Sequence, residues 1–260
     1  PPKTKEGRQV DDQALAADHR CGTAGYPADL HDRRQHAIRR VPVLQTRCDE
    51  QLAGLAGPGP PPAGRFVQMG VDELSPGEVP IRVAHTSINY KDALAAAGLN
   101  QIIREYPRTG GIDLSGTVAH SDDPRFVPGD AVVVHGFGIG VDHDGGHAEM
   151  ARVKGDWVMK LPQGLGLREA AILGAAGYTA ALCVHWMEHN GLSPGGLPVA
   201  VTGATGGVAS VAIDILAQRG YEVHAVSGKP QANDYLMELG AAKVLPPSVA
   251  EPTGKPLDKG

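Results

Sequence analysis

The stretch VTGATGGVASVA, Val201 to Ala212, constrains the fold more than any other part of the chain. It sets Gly203, Gly206 and Gly207 between the apolar run LPVAV and a helical pattern of Val208, Val211, Ala212, Ile215 and Leu216. Gly203 permits a tight turn, Gly206 and Gly207 let backbone N–H groups approach a ligand, and a helix N-terminus favours negative charge. Ala209 takes the third glycine position of the dinucleotide fingerprint, where a small residue serves helix–strand packing. The alternative is a purely structural turn. The residues beyond the turn favour the fingerprint: YEVHAVSG reads as a strand, QANDYLMELG as a short helix with Ala232, Tyr235, Leu236 and Leu239 on one face, and AAKVLP as a third strand. Strand, helix, strand, helix, strand is half of a doubly wound parallel sheet.

An NAD site places an Asp or Glu about 20 residues beyond the turn, on the ribose 2′-OH. Here the slot reads Ser227-Gly228-Lys229, and Ser227 lies 24 residues past Gly203. A hydroxyl, a backbone N–H and an ammonium suit a 2′-phosphate, which a carboxylate would repel. NADPH is therefore the expected cofactor, with a polar loop and a solvated lysine as the alternative.

Upstream the texture differs. From Phe66, VPIRVAHTSIN, GIDLSGTVAHS and GDAVVVHGFG are short apolar runs broken by Gly, Pro and Asp, as in a β domain with tight turns. From Leu167 an alanine- and leucine-rich helical pattern begins, with Gly191 placed to stop it. Residues 1–64 hold seven arginines, eight prolines and one aromatic residue, Tyr26, and their periodicity supports no sustained helix or strand. They read as a disordered or non-native extension, with a basic arm at Arg33-Arg34 and Arg39-Arg40 as the alternative. The expected segments are 1–64, an atypical extension; 65–165, a β domain; and 166–260, the first half of a dinucleotide-binding domain.

The formal net charge of −5 gives no basic excess for nucleic acid. No apolar run is read as approaching the roughly 20 residues of a membrane span. Cys21, Cys48 and Cys183 are scattered without CxxC spacing, so a reducing, cytoplasmic setting is expected and a disulfide framework is not.

Several separate motifs carry a resemblance: SINYKDALAAAG (87–98), GIDLSGTV (111–118), DPRFVPGDAVVVHGFGIG (123–140), HDGGHAEMARVKGDW (143–157), VTGATGGVAS (201–210) and AVSGK (225–229). Residues 66–260 resemble the zinc-independent quinone oxidoreductase branch of the medium-chain dehydrogenases/reductases, most of all its acryloyl-CoA reductase group. The resemblance implies an α/β chain, a GroES-like β domain followed by a Rossmann domain. It also implies NADPH-dependent reduction of an activated C=C bond, in this group that of acryloyl-CoA to propionyl-CoA. The substrate is then a small-molecule acyl-CoA, or an enone or quinone, and a homodimer is the usual family assembly. Carried over, the resemblance implies cofactor contacts from Tyr90, Thr205, Gly206, Gly207, Val208, Ser227, Gly228 and Lys229. It names no proton donor. On the residues alone the alternative for Tyr90 is a core or interface tyrosine, and for Lys91 and Asp92 a structural ion pair.

Catalytic zinc needs about three protein ligands. Where zinc-dependent relatives carry a cysteine this chain has Asn89, and their His-Glu pair is Ile112-Asp113. His135, His143 and His147, with Asp142 and Asp144, read as a polar substrate-side loop rather than a metal site, and no metal is expected. Four departures from the family pattern stand out. The family's first strand is absent or replaced within 1–64, Gly110 replaces a proline, and Pro246-Pro247 replaces an arginine that grips the cofactor. The Rossmann domain also reads as incomplete, supplying only the half that faces the adenosine. The alternative function is therefore a nucleotide-binding fragment without turnover.

Overall fold

The computed structural model describes residues 41–47 and 63–250, all within one unit, Ile38–Gly260. Two strands open it, β1 (Val41–Arg47) and β2 (Ala63–Met69), paired antiparallel with Val43 opposite Val67. This corrects the expectation that residues 1–64 contain no sustained strand. Val41, Val43 and Thr46 suit an extended chain, and the pairing partner lies beyond the proline-rich stretch, where a local reading does not look. The basic pairs Arg33-Arg34 and Arg39-Arg40 lie outside the described residues.

The chain continues through β3 (Val79–His85), α1 (Tyr90–Ala96), β4 (Arg108–Thr109), β5 (Asp113–Val118), β6 (Ala131–His135), β7 (Met150–Val153) and β8 (Met159–Lys160). Five of these strands form one antiparallel sheet in the order β7-β3-β5-β6-β8, while β4 joins the opening pair in the order β2-β1-β4. The period-2 pattern works as expected in β3, where buried Val79 and Ile81 alternate with half-buried Pro80 and exposed Arg82. Leu114, Val132, Val134 and Val153 join them in one core. Each such side chain contributes about 1.5–3 kcal/mol when fully buried.

Helix α2 (Leu167–His189) follows, 23 residues long. Over an 18-residue window its mean hydropathy reaches 1.4, a value that by length and composition a membrane span and the core helix of a globular protein both reach. The helix is also broken: Gly174 has φ 51° and ψ −157°, outside the helical region. Ala180 and Val184 are buried, and α3 packs along α2.

Strand β9 (Val199–Thr202), α3 (Gly207–Gln218), β10 (Val223–Val226), α4 (Asn233–Glu238) and β11 (Lys243–Leu245) complete the described chain. The strands are parallel in the order β11-β10-β9, so consecutive crossovers build the sheet outward from β9. Ile213 and Leu216 of α3 and Leu236 of α4 pack with Val223 and Ala225 in a second core. The expected apolar face of α3 is rotated: Ile213 is fully buried, whereas Val208 at the helix start is 40% exposed. Among the described residues, the edge of β9 away from β10 has no strand beside it.

Candidate functional site

Strand β9 ends at Thr202, and Gly203 turns the chain at φ +60°, a conformation that side-chain-bearing residues rarely adopt. Ala204 is fully buried, and its N–H donates to Val226 O at 3.2 Å, pinning the turn to the end of β10. Gly206 N donates to Gly203 O at 2.8 Å. Gly206 is the extended N-cap of α3, and no side chain caps it. Gly207, Val208 and Ala209 therefore open the helix with N–H groups that have no acceptor inside it. Uncapped donors beside a positive helix end suit an anionic ligand.

A cleft of about 470 Å³ opens between α2, β9 and α3, lined in part by Cys183, Met187, Val201, Gly203, Gly206 and Val208. Gly207 shares that lining, and Thr205 belongs to the same turn. Cys183 and Met187 were not foreseen. They lie on α2, and only packing against α3 brings them to the turn.

Ser227, Gly228 and Lys229 follow β10, whose Val226 lies opposite Thr202 of β9. The two segments thus leave the same end of the parallel sheet. Ser227 N donates to Leu245 O at 3.0 Å, and Lys229 N to Ser227 Oγ at 3.1 Å. Two of the three backbone donors are thereby used, which leaves the Gly228 N–H, the Ser227 hydroxyl proton and the Lys229 ammonium. Gly228 and Lys229 are exposed, and no carboxylate pairs with Lys229 among the described residues. Pro247 closes on this slot, since a Cβ at position 228 would lie 3.3 Å from Pro247 Cγ.

Tyr90 stands apart from the cleft. It begins α1 and is 81% exposed, so it is not a core tyrosine. Nor do its neighbours form an ion pair with each other. The Asp92 carboxylate instead accepts Asn89 N at 2.8 Å and Ile112 N at 3.1 Å, and Lys91 has no acidic partner among the described residues.

The link between Tyr90 and the nucleotide end is Asp113, which is 1% exposed. Its carboxylate accepts the Ser87 N–H at 2.8 Å, the Ser87 hydroxyl, Asn89 Nδ2 at 3.0 Å and the Ala175 N–H at 3.0 Å. Burial works to raise its pKa, but these donors outweigh burial and hold the carboxyl below the usual carboxylate range. One side chain thus ties the loop before α1 to the break in α2. At that break a Cβ on Gly174 would meet Ser87 Oγ at 2.8 Å and Asp113 Oδ2 at 2.9 Å. Sequence reasoning met Asp113 only as half of a missing zinc pair. The donors around it come from two segments, residues 87–89 and residue 175, both far from Asp113 in the chain, so no local motif announced the hub.

The loop histidines do not converge. His143 sits between Asp144 O at 3.1 Å and Pro76 O at 3.0 Å. His135 stacks on Tyr178 with ring centroids 6.0 Å apart. Burial lowers the His135 pKa, partly offset by the Asp113 charge. Among the described residues no three His, Cys, Asp or Glu side chains are grouped to hold a metal.

Residues 75–163 match the alcohol dehydrogenase GroES-like domain. The chain is 50% identical over 187 residues to the probable acrylyl-CoA reductase AcuI of Escherichia coli, covering 72% of this chain and 57% of that protein. It is 50% identical over 177 residues to the putative quinone oxidoreductase YhfP of Bacillus subtilis, covering 68% and 54%. The yhdH oxidoreductase from Salmonella enterica, solved in complex with NADP, superposes with a TM-score of 0.76 at 42% identity, covering 82% of this chain and 63% of that one. The chain thus spans little more than half the length of the curated relatives it matches. A GroES-like match on the antiparallel half, a glycine turn between β9 and α3, and these likenesses across both halves agree: the chain belongs to the medium-chain dehydrogenase/reductase family.

Proposed function

We propose that this chain binds NADPH at the β9–α3 turn and belongs to an oxidoreductase that reduces the activated C=C bond of an enoyl thioester such as acryloyl-CoA. One observation carries the reading. The uncapped start of α3 and the carboxylate-free Ser227-Gly228-Lys229 slot leave the same end of the parallel sheet, which suits a pyrophosphate and a 2′-phosphate. Likeness to proteins named as acrylyl-CoA reductases and to a structure solved with NADP supports it. In this reading Thr205, Gly206, Gly207 and Val208 hold the diphosphate, Ser227, Gly228 and Lys229 the 2′-phosphate, and Tyr90 reaches the cofactor from the β-domain side. The domain division near residue 165 then separates substrate-side from cofactor-side residues.

The bound cofactor supplies a hydride to the β-carbon of the thioester. This chain's residues bind its phosphates, align it through the Asp113 link, and leave the thioester carbonyl, where negative charge develops, to hydrogen-bond donors of the β domain. No residue is assigned as proton donor.

The alternative reading is nucleotide binding without turnover. Absorbance at the NADPH band, followed with acryloyl-CoA and separately with a simple quinone, tests both. Faster oxidation with acryloyl-CoA supports the thioester reading, and faster oxidation with the quinone refutes it in favour of the quinone relative's chemistry. NADPH binding without oxidation of either establishes the second reading. Failure to bind NADPH refutes both.

A further inference from the structure

We propose that a second cleft, in the β-domain half, receives the phosphate-bearing end of a coenzyme A thioester; the proposal rests on the enoyl-thioester reading of the chain's function. This cleft has a volume of about 290 Å³ and is lined by Lys91, Asn100, Gln101, Ile102, Arg104, Val141 and Asp142. Its lining carries two cations and one carboxylate, and neither cation has an acidic partner among the described residues. Three arginines elsewhere are held in ion pairs: Arg108 with Asp144, Arg125 with Asp123 and Asp156, and Arg219 with Glu188. Lys91 and Arg104 therefore face one cavity with their charges uncompensated by a direct ion pair.

Both are placed by buried anchors. Lys91 lies in the first turn of α1, which Asp92 fixes through the N–H groups of Asn89 and Ile112. Arg104 follows Ile103, which is 5% exposed and holds the loop to the β domain. Between them, Asn100 and Gln101 both have positive φ, at 56° and 50°. Consecutive left-handed residues that are not glycine are uncommon and persist where surrounding structure holds them. Here Ile102 N donates to Leu99 O at 3.4 Å and closes the turn. The result puts two amide side chains beside the two cations.

That donor set fits phosphate oxygens. A guanidinium offers a planar fork, an ammonium a compact charge, and amides add neutral N–H donors. The neutral quinone of the rival reading gains nothing from these charges. The pyrophosphate of NADPH offers the same chemistry as that of coenzyme A, so the test separates the two sources.

The test is calorimetric titration of the 260-residue chain with coenzyme A and with pantetheine, which lacks the phosphates, each with and without saturating NADP+. The expected result is coenzyme A binding at least tenfold tighter than pantetheine, weaker at higher salt, and retained under NADP+. Lys91→Ala/Arg104→Ala should weaken coenzyme A at least tenfold. Lys91→Arg/Arg104→Lys, which preserves both charges, should keep most of the affinity and so guards against loss of fold. Equal binding of coenzyme A and pantetheine overturns the proposal, as do no binding of either, full displacement by NADP+, or an alanine variant with unchanged affinity. A chain that ignores NADP+ refutes the cofactor reading alone, because the coenzyme A comparison is also read without nucleotide.

Discussion

Replacing Asp113 with alanine should cost this chain more stability than its single carboxylate suggests. Four donors aim at it: the Ser87 N–H, the Ser87 hydroxyl, Asn89 Nδ2 and the Ala175 N–H. Two of these re-pair easily, since Asn89 Nδ2 already lies 3.0 Å from Ser87 Oγ. The two backbone N–H groups cannot turn away. A stranded buried donor costs about 1–3 kcal/mol, so the pair costs roughly 2–6 kcal/mol, a large share of the roughly 5–15 kcal/mol typical of a folded domain. Asp113→Asn keeps the volume and one acceptor oxygen but turns an amide toward the remaining donors, for a loss of about 2 kcal/mol. Urea unfolding followed by fluorescence reads both ends of the link, because Trp157 packs on the β-domain core and Trp186 lies on α2. The expected order is wild type, then asparagine, then alanine. An alanine variant within about 0.5 kcal/mol of wild type would mean that Asp113 does not hold the halves together.

Gly203→Ala should cost about 1 kcal/mol and weaken NADPH, because a Cβ there has no atom within 4 Å to meet and the penalty is the φ of +60° itself. Unchanged urea midpoint and cofactor affinity would contradict it. Lys229→Glu should weaken NADPH at least tenfold, about 1.4 kcal/mol, with little effect on NADH. Equal weakening of both would remove Ser227-Gly228-Lys229 from the 2′-phosphate site. Acid should act through Asp113 and Asp144. At Asp144 burial pushes the pKa up, but bonds from Thr109 and Ser75 and the charge of Arg108 outweigh it and hold the carboxyl low. A depressed folded-state pKa stabilises fully above the unfolded value of about 3.9, and that stability is lost as pH falls through the folded value. The urea midpoint should therefore drop below about pH 4, and drop less steeply in Asp144→Asn; parallel pH profiles would refute this.

Local sequence was enough for the parallel half. The turn glycines, the β-branched run before them and the i, i+3, i+4 pattern after them are short-range signals, and β9, α3, β10, α4 and β11 appear in the expected order. The β-domain runs were equally readable as short strands. Strand β1 was not, because its partner β2 lies across a proline-rich segment and pairing across such a distance leaves no local trace. The rotation of α3 that exposes Val208 to the cleft was also missed, since periodicity gives a helix a face but not the neighbour that buries it.

The same division holds at the site. Amino-acid type and order along the chain determined that a glycine turn and a carboxylate-free Ser227-Gly228-Lys229 segment occur here, because each depends on backbone freedom or charge within a few residues. Tertiary structure alone decided that Asp113 joins Ser87, Asn89 and Ala175 around one buried carboxylate, that Pro247 closes on Gly228, and that Lys91 and Arg104 share a cleft. Each of those contacts joins segments separated in the chain, and buried hydrogen bonds or close packing bring them together only once the chain has folded.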